Sequence, residues 1–387
     1  MAQLLVRLAE RHRVALLHLR APDEPPLDSA LAGRLESAEA VARIASGRRL
    51  PARLLRRGRI AAARLGGRPR WVSHVVVPAF AERLRARVRS WRPEIVQLEF
   101  HVMGAYLRAL GADPAPRVLV AYEAGTRAAR DLVRAARGPL RLLRLLDLWA
   151  WERFERDVLR RVDAAVAFTG PDRRALAALA GSTPVHEIPL GAELPDRALD
   201  PRGRPPYPVV FVGNGLHPPN ADAALRLVES ILPRLRARWP EAAVEIVGEA
   251  PPVRLVRSTF AGVTVTGRVP DVAPHLDRAA VVAAPLRLGG GMRVKVLEAL
   301  AAGKAVVASP LAIEGLAVRD GEELLVAPDD DAFAAALARL LADPGERTAL
   351  AGRARAWALA NLGWERSVAA YEALYADLLA QPVRRAR

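Results

Sequence analysis

Residues 278–309 read RAAVVAAPLRLGGGMRVKVLEALAAGKAVVAS, and this stretch decides the fold. The valine-rich runs near its two ends are typical of buried strands, and Met292–Ala302 between them has the length of a helix. Gly303 stands where a helix commonly ends in a left-handed glycine. A strand, a glycine loop, a helix and a second strand are the repeating unit of a parallel α/β sheet.

The start of the predicted helix carries two cations, Arg293 and Lys295. A helix start is the positive end of the helix dipole, so each cation there costs about 0.3–1 kcal/mol unless an anion lies beside it. Gly289, Gly290 and Gly291 let a ligand approach the backbone closely. Free N–H groups at a helix start bind phosphate. The stretch therefore predicts a phosphate site.

Composition limits the classes of protein that the chain can be. Its 387 residues favour two domains, and its hydrophobic content of 51% suffices for buried cores. No apolar run reaches the roughly 18 residues that cross a membrane, and no secretory signal is visible at the N-terminus. The absence of cysteine excludes disulfides, thiolate catalysis and zinc–thiolate sites. The histidines show no metal-ligand spacing, so we expect no bound metal. Without a membrane span or a secretory signal, we expect a cytoplasmic location.

The net charge is +16, and only two of the 58 basic residues are lysines. The coding bias of a GC-rich genome explains most of this arginine, although the surplus also suits nucleic acid, anionic lipid or polyanionic glycan. With aromatic residues at only 5%, we expect no specific nucleic-acid binding. The basic segment Arg48–Arg70 is either a solvated surface or an element attracted to an anionic membrane.

Strand and helix signals alternate in both halves of the chain. Predicted strands in the first half are Val14–Leu19, Val75–Val77, Ile95–Phe100, Val118–Glu123, Ala164–Thr169 and Val185–Leu190, and predicted helices are Phe80–Trp91 and Pro139–Arg161. Predicted strands in the second half are Val209–Val212, Val244–Val247, Val263–Thr266, Ala280–Ala284, Ala305–Ala308 and Glu323–Val326, and predicted helices are Ala221–Ala237 and Ala332–Leu341.

This alternation predicts an α/β protein of two doubly wound, Rossmann-like domains that face each other across a cleft. The first domain spans residues 1–194. A Pro/Gly/Arg-rich linker spans 195–208, and the second domain spans 209–365. The helical tail 366–387 is expected to cross back to the first domain.

The second half opens with another glycine loop. The strand Val209–Val212 runs into Gly213-Asn214-Gly215, and Asn220 is placed to cap the following helix. A strand-to-helix glycine loop in the first unit of such a domain lets a phosphate approach. An ordinary turn is an equally good interpretation, because the spacing is not that of a dinucleotide site.

Three further side chains are ambiguous by themselves. Glu298 suits either an ion pair with Lys295 at i,i+3 or hydrogen bonds to ribose hydroxyls behind a phosphate site. Glu314 and Arg268 each follow a predicted strand, where a loop charge is the ordinary interpretation.

Four stretches together carry a family resemblance: FVGNGLHPPNADA (211–223), GRVPDVAPHLDRAAVVAAPLRLGGGMRVKVLEALAAGKAVVAS (267–309), IEGL (313–316) and WERSVAAYEALY (364–375). They resemble the donor-binding half of retaining GT-B glycosyltransferases of family 4 (group 1), in the branch of exopolysaccharide-type sugar transferases. The resemblance covers nearly all of residues 209–379 and is weaker before them. It implies a nucleotide-diphosphate sugar as donor substrate and no cofactor.

The resemblance also implies roles for individual residues. Glu298 matches the second glutamate of the family's paired-glutamate signature and binds the donor ribose, while the first glutamate is absent at Gly290. Arg293 and Lys295 supply charge to the donor diphosphate and are the catalytic candidates. The remaining donor-binding candidates are Gly213, Asn214 (which replaces a family arginine), Arg268 and Val269 (which line the nucleobase), Gly289, Gly290, Gly291 and Glu314.

The first half departs from the family pattern. The chain opens in what resembles the helix Ala2–Arg11, so the family's first strand and glycine loop are expected to be missing. Family members often carry a histidine on the strand that matches Val118–Glu123, where this chain has Tyr122 followed by Glu123. These two residues are the acceptor-side candidates.

Three functional hypotheses follow. The first is a retaining hexosyltransferase that builds a cell-surface polysaccharide or a lipid-linked glycan, without metal, because cations and N–H groups stabilise the leaving diphosphate. The second is a GT-B-shaped protein that binds nucleotide sugar or glycan without catalysis. The third is a nucleotide-sugar epimerase, which needs paired acid and base residues that the sequence does not reveal. The first hypothesis is compatible with a protein that lies peripherally on the inner face of the membrane.

Overall fold

The computed structural model of the protein describes residues 2–22, 24–43, 67–257 and 260–381. The chain divides into two compact units, one made of Met1–Pro189 with Trp364–Arg387 and the other of Leu190–Gly363. Every strand pairing in the described residues is parallel, with helices between the strands, which confirms the predicted α/β class with two Rossmann-like domains. Most of the basic segment Arg48–Arg70 lies outside the described residues.

The first unit holds two parallel sheets. Its strands are β1 (Ala15–Arg20), β2 (Ser37–Ala42), β3 (Val96–Glu99), β4 (Arg117–Ala121), β5 (Ala164–Ala167) and β6 (Val185–Glu187). Its first helices are α1 (Ala2–Ala9), α2 (Ser29–Ala32), α3 (Arg70–Val75), α4 (Pro78–Trp91), the 3₁₀ helix His101–Leu110, α5 (Gly125–Ala135), α6 (Pro139–Leu159) and α7 (Gly170–Ala180). Strands β1 and β2 pair with each other, and the four-stranded sheet has the order β3-β4-β5-β6.

The predicted strand Val75–Val77 is wrong. Val75 is the last residue of α3, and Val77 precedes α4, which begins with Pro78. A proline suits the first turn of a helix, where no N–H is needed, so α4 begins at Pro78, directly after the valines. The valines therefore lie at the junction of two helices and not in a strand. The sequence also hid β2, because SAEAVA alternates too weakly to stand out and is exposed at every second position.

The second unit contains a six-stranded parallel sheet. Its strands are β7 (Val209–Val212), β8 (Val244–Val247), β9 (Val263–Gly267), β10 (Val281–Ala284), β11 (Val306–Ala308) and β12 (Leu325–Val326). Its helices are α8 (Pro218–Arg226), continued by a π-helical turn (Leu227–Ile231) into α9 (Leu232–Arg236), then α10 (Val253–Arg257), α11 (Ala273–Arg278), α12 (Val294–Ala301), the 3₁₀ helix Pro310–Ile313, α13 (Asp330–Ala342) and α14 (Pro344–Asn361).

The strand order of this sheet is β12-β11-β10-β7-β8-β9. Strands β7 and β10 pair in register through Val209 with Val281 and Val210 with Val282. All four of these side chains are buried, as expected for a parallel sheet covered on both faces. The chain leaves β7 in one direction along the sheet and β10 in the other, so the topological switch point lies between these two strands.

The Pro/Gly/Arg-rich stretch 195–208 contains no helix or strand and is attached to the second unit. Leu199 donates its N–H to the carbonyl of Ala302 at 2.9 Å, and Arg204 donates to the carbonyl of Arg278 at 3.0 Å. The fully buried Lys304 donates from Nζ to the carbonyl of Asp200. These bonds hold the stretch beside the residues that lead into β10 and β11.

The tail is helical throughout its described part. Helix α14 belongs to the second unit, whereas the last helix, α15 (Trp364–Ala380), belongs to the first. Glu372 of α15 accepts a hydrogen bond from Arg11 at 3.0 Å, which ties the tail to the end of α1. Within the described residues, no helix combines the length and the apolar character that crossing a membrane requires.

Candidate functional site

Two glycine loops meet at the switch point of the second unit. The loop Gly213–Gly215 follows β7, and the loop Gly289–Gly291 follows β10, its neighbour in the sheet. In open α/β sheets, ligands bind outside the carboxyl ends of the strands at this place. Sequence reasoning predicted both loops from their glycines, and the sheet order brings them side by side.

Close packing explains why glycine occupies several of these positions. A Cβ on Gly289, whose φ is +99°, would lie 2.8 Å from the ring of Pro219, which belongs to the first turn of α8. A Cβ on Gly248, the residue after β8, would lie 2.2 Å from the carbonyl oxygen of Gly213. The loops after β7, β8 and β10 therefore support one another, and larger side chains would separate them.

Arg293 shapes the triple-glycine loop from inside. It is the residue before α12, and its side chain is only 6% exposed. Its guanidinium donates to the carbonyls of Gly290 at 2.5 Å and Gly289 at 2.7 Å, and to that of Leu311 at 3.3 Å. The structure places this candidate behind the loop, where it orders the glycines and adds positive charge.

Lys295 lies between the two loops. Its ammonium donates to Oδ1 of Asn220 at 2.5 Å and lies 4.6 Å from the ring centre of Phe211 on β7. A Cβ on Gly213 would be 3.1 Å from Nζ, so the ammonium lies directly against the first loop. Burial, followed by repulsion from Arg293, lowers the pKa of Lys295 to about 7. A buried cation that is easily discharged is the expected result when its counter-anion is a ligand.

Asn220 connects this lysine to the first loop. Its Nδ2 donates to the carbonyl of Asn214 at 3.0 Å, while its Oδ1 accepts from Lys295. The expected helix-capping role of Asn220 is wrong, because α8 begins two residues earlier at Pro218 and the residue before it is His217. The prolines at 218 and 219 occupy the first turn of α8, so the helix begins before Asn220.

His217 is a site residue that sequence reasoning missed. Its pKa is lowered by burial and then by repulsion from Lys295 and Arg293, so the three basic side chains share one region. The sequence feature that could have identified it is its position two residues after Gly215, directly before a pair of prolines. A nearby anion would reverse that repulsion.

Glu298 lies one turn behind Lys295 on α12. Among the described residues it makes no ion pair with Lys295. The ammonium of Lys295 donates a hydrogen bond to Asn220 instead. Its side chain reaches solvent, yet its pKa is raised, first by desolvation and then by repulsion from Glu193. Two carboxylates close to each other beside a cationic pair are placed to accept hydrogen bonds from hydroxyl groups. Glu193 was not among the predicted residues.

The other predicted donor-side residues follow neighbouring strands. Arg268 is exposed immediately after β9, and Val269 packs against the core of the unit. Gly267 accepts the N–H of Gly248 at 3.1 Å, which connects this loop to the first glycine loop through Gly248. Glu314 is half-buried and directly follows the 3₁₀ helix Pro310–Ile313.

In the first unit, Tyr122 and Glu123 directly follow β4, and both are half-buried. The ring of Tyr122 packs 5.1 Å from the ring centres of Phe100 and Phe168, which follow β3 and β5. Burial, followed by the nearby Glu99, raises the pKa of the phenol well above its ordinary value. Burial also raises the pKa of Glu99 to about 7. This arrangement supplies a neutral hydroxyl at the carboxyl edge of the sheet.

Two buried ionisable groups near that edge were also missed. His101 is 1% exposed, and burial lowers its pKa to about 4. Among the residues that the structure describes, neither of its ring nitrogens has a hydrogen-bond partner. Glu155 accepts the N–H groups of Gly125 at 2.6 Å and Thr126 at 3.1 Å, at the start of α5. Only the fold brings Glu155, on α6, to that helix start.

Comparison with known proteins agrees with this geometry. Residues 206–343, which contain both glycine loops, match the family model of glycosyl transferases group 1. The chain is 34% identical over 179 residues to a phosphatidyl-myo-inositol mannosyltransferase of Mycolicibacterium smegmatis, covering 43% of this chain and 46% of that protein. It is 31% identical over 247 residues to a GDP-mannose-dependent α-(1-6)-phosphatidylinositol monomannoside mannosyltransferase of the same organism, covering 56% of this chain. The match spans 64% of that second relative, so it extends over about half to two thirds of these proteins.

Solved structures are similar over nearly the whole chain. A sucrose-phosphate synthase from Thermosynechococcus elongatus superposes with a TM-score of 0.67 at 20% identity, covering 98% of this chain and 92% of that one. A glycosyltransferase from Rickettsia africae superposes with a TM-score of 0.61 at 9% identity, covering 96% and 100%. At such identities the likeness concerns the fold. Together with the match of residues 206–343 to the family model, these findings show that the chain is similar to group 1 glycosyltransferases and shares a GT-B-like fold with the solved structures.

Proposed function

We propose that this protein transfers a sugar from a nucleotide-diphosphate sugar to an acceptor hydroxyl, with retention of configuration. The observation that carries the proposal is the position of the Lys295 ammonium against Gly213, between two glycine loops at the switch point of the sheet. A diphosphate in this place receives N–H donors, the charge of Lys295 and the field of Arg293. These groups are ordered before the ligand arrives, which is the arrangement that stabilises a developing negative charge.

The chemistry asks little else of the second unit. The bond between the anomeric carbon and the diphosphate oxygen breaks, and the leaving oxygen takes the negative charge. Lys295 and the helix start at Val294 are the groups placed to stabilise it. In this proposal, Glu298 and Glu193 hold ribose hydroxyls, and the loop at Arg268 and Val269 contacts the base. The acceptor hydroxyl then bonds to the anomeric carbon on the face that the diphosphate left, and its proton passes to the leaving diphosphate oxygen.

We further propose a lipid-linked or polysaccharide acceptor, the latter as in exopolysaccharide synthesis, and a peripheral position on a membrane. One relative is a phosphatidyl-myo-inositol mannosyltransferase, and the other is a GDP-mannose-dependent phosphatidylinositol monomannoside mannosyltransferase. GDP-mannose is therefore the first donor to test. Tyr122 and Glu123 are the acceptor-side residues in this proposal.

The test measures nucleotide release by the purified full chain from GDP-mannose, UDP-glucose, UDP-N-acetylglucosamine and ADP-glucose, with and without a phosphatidylinositol acceptor. We expect release of one nucleotide that rises when the acceptor is added, and an axial product bond by NMR. Arg234→Gln serves as the matched control, because this arginine forms an exposed ion pair with Asp331 in the same unit. Inverted product configuration would contradict retention.

A second candidate is a protein that binds nucleotide sugar without turning it over. It is favoured by Tyr122, whose phenol keeps its proton where the family often has a histidine. Saturable binding of GDP or UDP with no nucleotide release from any donor would favour this candidate. Absence of binding would exclude both.

A further inference from the structure

An apolar stripe on α6 faces solvent. Leu142, Leu145, Leu146 and Trp149 are 64%, 44%, 58% and 50% exposed. Their spacing of three, four and seven residues places them on one face of the helix. We call these four residues the leucine stripe. Such a face is normally buried, and a large exposed apolar patch marks an interaction site.

The two halves of α6 behave differently. In the C-terminal half, Trp151, Phe154 and Val158 are buried in the core of the first unit. In the N-terminal half, the leucine stripe and the neighbouring Leu140 and Leu143 all remain exposed. The helix is therefore anchored at one end and presents its apolar residues at the other.

The stripe is bordered by positive charge. Arg141, Arg144, Arg153 and Arg156 form no ion pair with any carboxylate of the described residues, and the guanidinium of Arg153 lies 5.8 Å from the ring centre of Trp149. The carboxylates nearby are engaged elsewhere.

Those carboxylates leave the arginine charge uncancelled. Glu152 pairs with Arg130 at 2.8 Å, and Asp147 accepts the backbone N–H of Arg70 at 3.4 Å. Leucines and a tryptophan between arginines are the composition of a helix that lies in the surface of an anionic membrane.

We propose that the leucine stripe docks the first unit onto an anionic lipid surface, with α6 lying in the plane of the interface. The leucines and Trp149 enter the boundary between headgroups and acyl chains, and Arg141, Arg144 and Arg153 contact anionic headgroups. A second copy of the chain fits this face less well, because pairing two stripes would bring their arginine borders together. The net charge of +16 increases that repulsion.

Vesicle flotation of the full chain tests the proposal without any donor or acceptor, so its outcome is independent of the proposed reaction. Vesicles contain phosphatidylcholine alone or with phosphatidylglycerol. We expect binding to the anionic vesicles only. The variant Leu142→Ser/Leu146→Ser should bind at least about tenfold more weakly, because it removes apolar area that would enter the membrane. Arg141→Gln/Arg144→Gln should bind roughly 20-fold more weakly.

The matched control is Leu359→Ser/Leu379→Ser, which changes two leucines of similar exposure on other helices and should float like the wild type. A fourth variant, Arg53→Ser/Arg56→Ser/Arg57→Ser, tests the basic segment Arg48–Arg70. Flotation that survives the stripe substitutions, or that is equal on neutral vesicles, overturns the proposal. So does a wild type that ignores vesicles and forms a dimer, by light scattering, that the stripe variant dissociates.

Discussion

Two of the helix starts that follow a parallel strand in this molecule are satisfied in opposite ways. In the first unit, α5 begins after β4, and the buried carboxylate of Glu155 accepts the N–H groups of Gly125 and Thr126. In the second unit, α12 begins after β10 and carries Arg293 and Lys295 instead of an acid. One start is closed by a buried carboxyl group of the protein, whose pKa burial raises to about 7. The other gathers positive charge, which favours an external anion.

The comparison shows that the positive end of a helix is not a ligand site by itself. The carboxyl group of Glu155, which belongs to α6, binds the start of α5 and so links the two helices. At α12, the nearest carboxylate on the same helix, Glu298, is a full turn away, and Lys295 donates to the neutral Asn220. The four predictions below test this contrast, in order of decreasing effect.

Lys295→Met should reduce sugar transfer by about 10²- to 10³-fold, because it removes one preorganised donor from the leaving diphosphate. The fold should survive, since the methionine stem fills the same space and a buried charge is removed. Initial rates of nucleotide release and circular dichroism measure the two effects. If the variant keeps its activity within a few-fold of the wild type, the start of α12 is not the diphosphate site, and the contrast with the start of α5 fails.

Glu155→Ala should lower the free energy of unfolding by about 3 kcal/mol, because two buried N–H groups lose a charged acceptor. Urea denaturation followed by tryptophan fluorescence measures it. Glu152→Ala is the control on the same helix, where loss of an exposed ion pair should cost less than about 1 kcal/mol. Binding of GDP or UDP by the second unit should remain. Equal midpoints for both variants would contradict the closing role of Glu155.

Nucleotide affinity should fall as pH rises, by up to about tenfold per pH unit above about 7. The sign follows from Lys295, whose pKa is about 7 in the empty site and rises when a diphosphate binds, so binding takes up a proton. Calorimetric titration with GDP and UDP at several pH values measures it. In Lys295→Arg the side chain stays charged, so the slope should disappear. A slope that persists in this variant would assign the proton to another group.

Glu298→Gln should weaken GDP or UDP binding by about tenfold, because an amide accepts ribose hydroxyls less strongly than a carboxylate. Binding of inorganic pyrophosphate should be unchanged, since Glu298 lies a turn behind the phosphate position. Fluorescence titration with both ligands separates the two effects. Equal losses for nucleotide and pyrophosphate would point to a change in the charge around Lys295 instead of a contact with ribose.

The second unit was easier to predict from sequence than the first. The predicted strands Val209–Val212 and Val244–Val247 match β7 and β8 residue for residue. The predicted helix Met292–Ala302 contains α12, and Gly303 has the expected left-handed φ of +71°. Strands of this kind are apolar throughout and are bounded by glycines, so the local pattern is sufficient. In the first unit, the exposed alternation of β2 and the valines of α3 gave misleading local patterns.

The amino-acid sequence by itself determined the α/β class, the two glycine loops and the presence of cations at a helix start, because strand period, glycine and charge are local properties. Tertiary structure alone decided which groups meet. It placed β7 beside β10, turned Arg293 onto its own loop, brought Asn220 to Lys295 and closed α5 with Glu155. Apart from the bonds of Arg293, these contacts join residues far apart in the chain, and their energies depend on burial, which a local pattern does not contain.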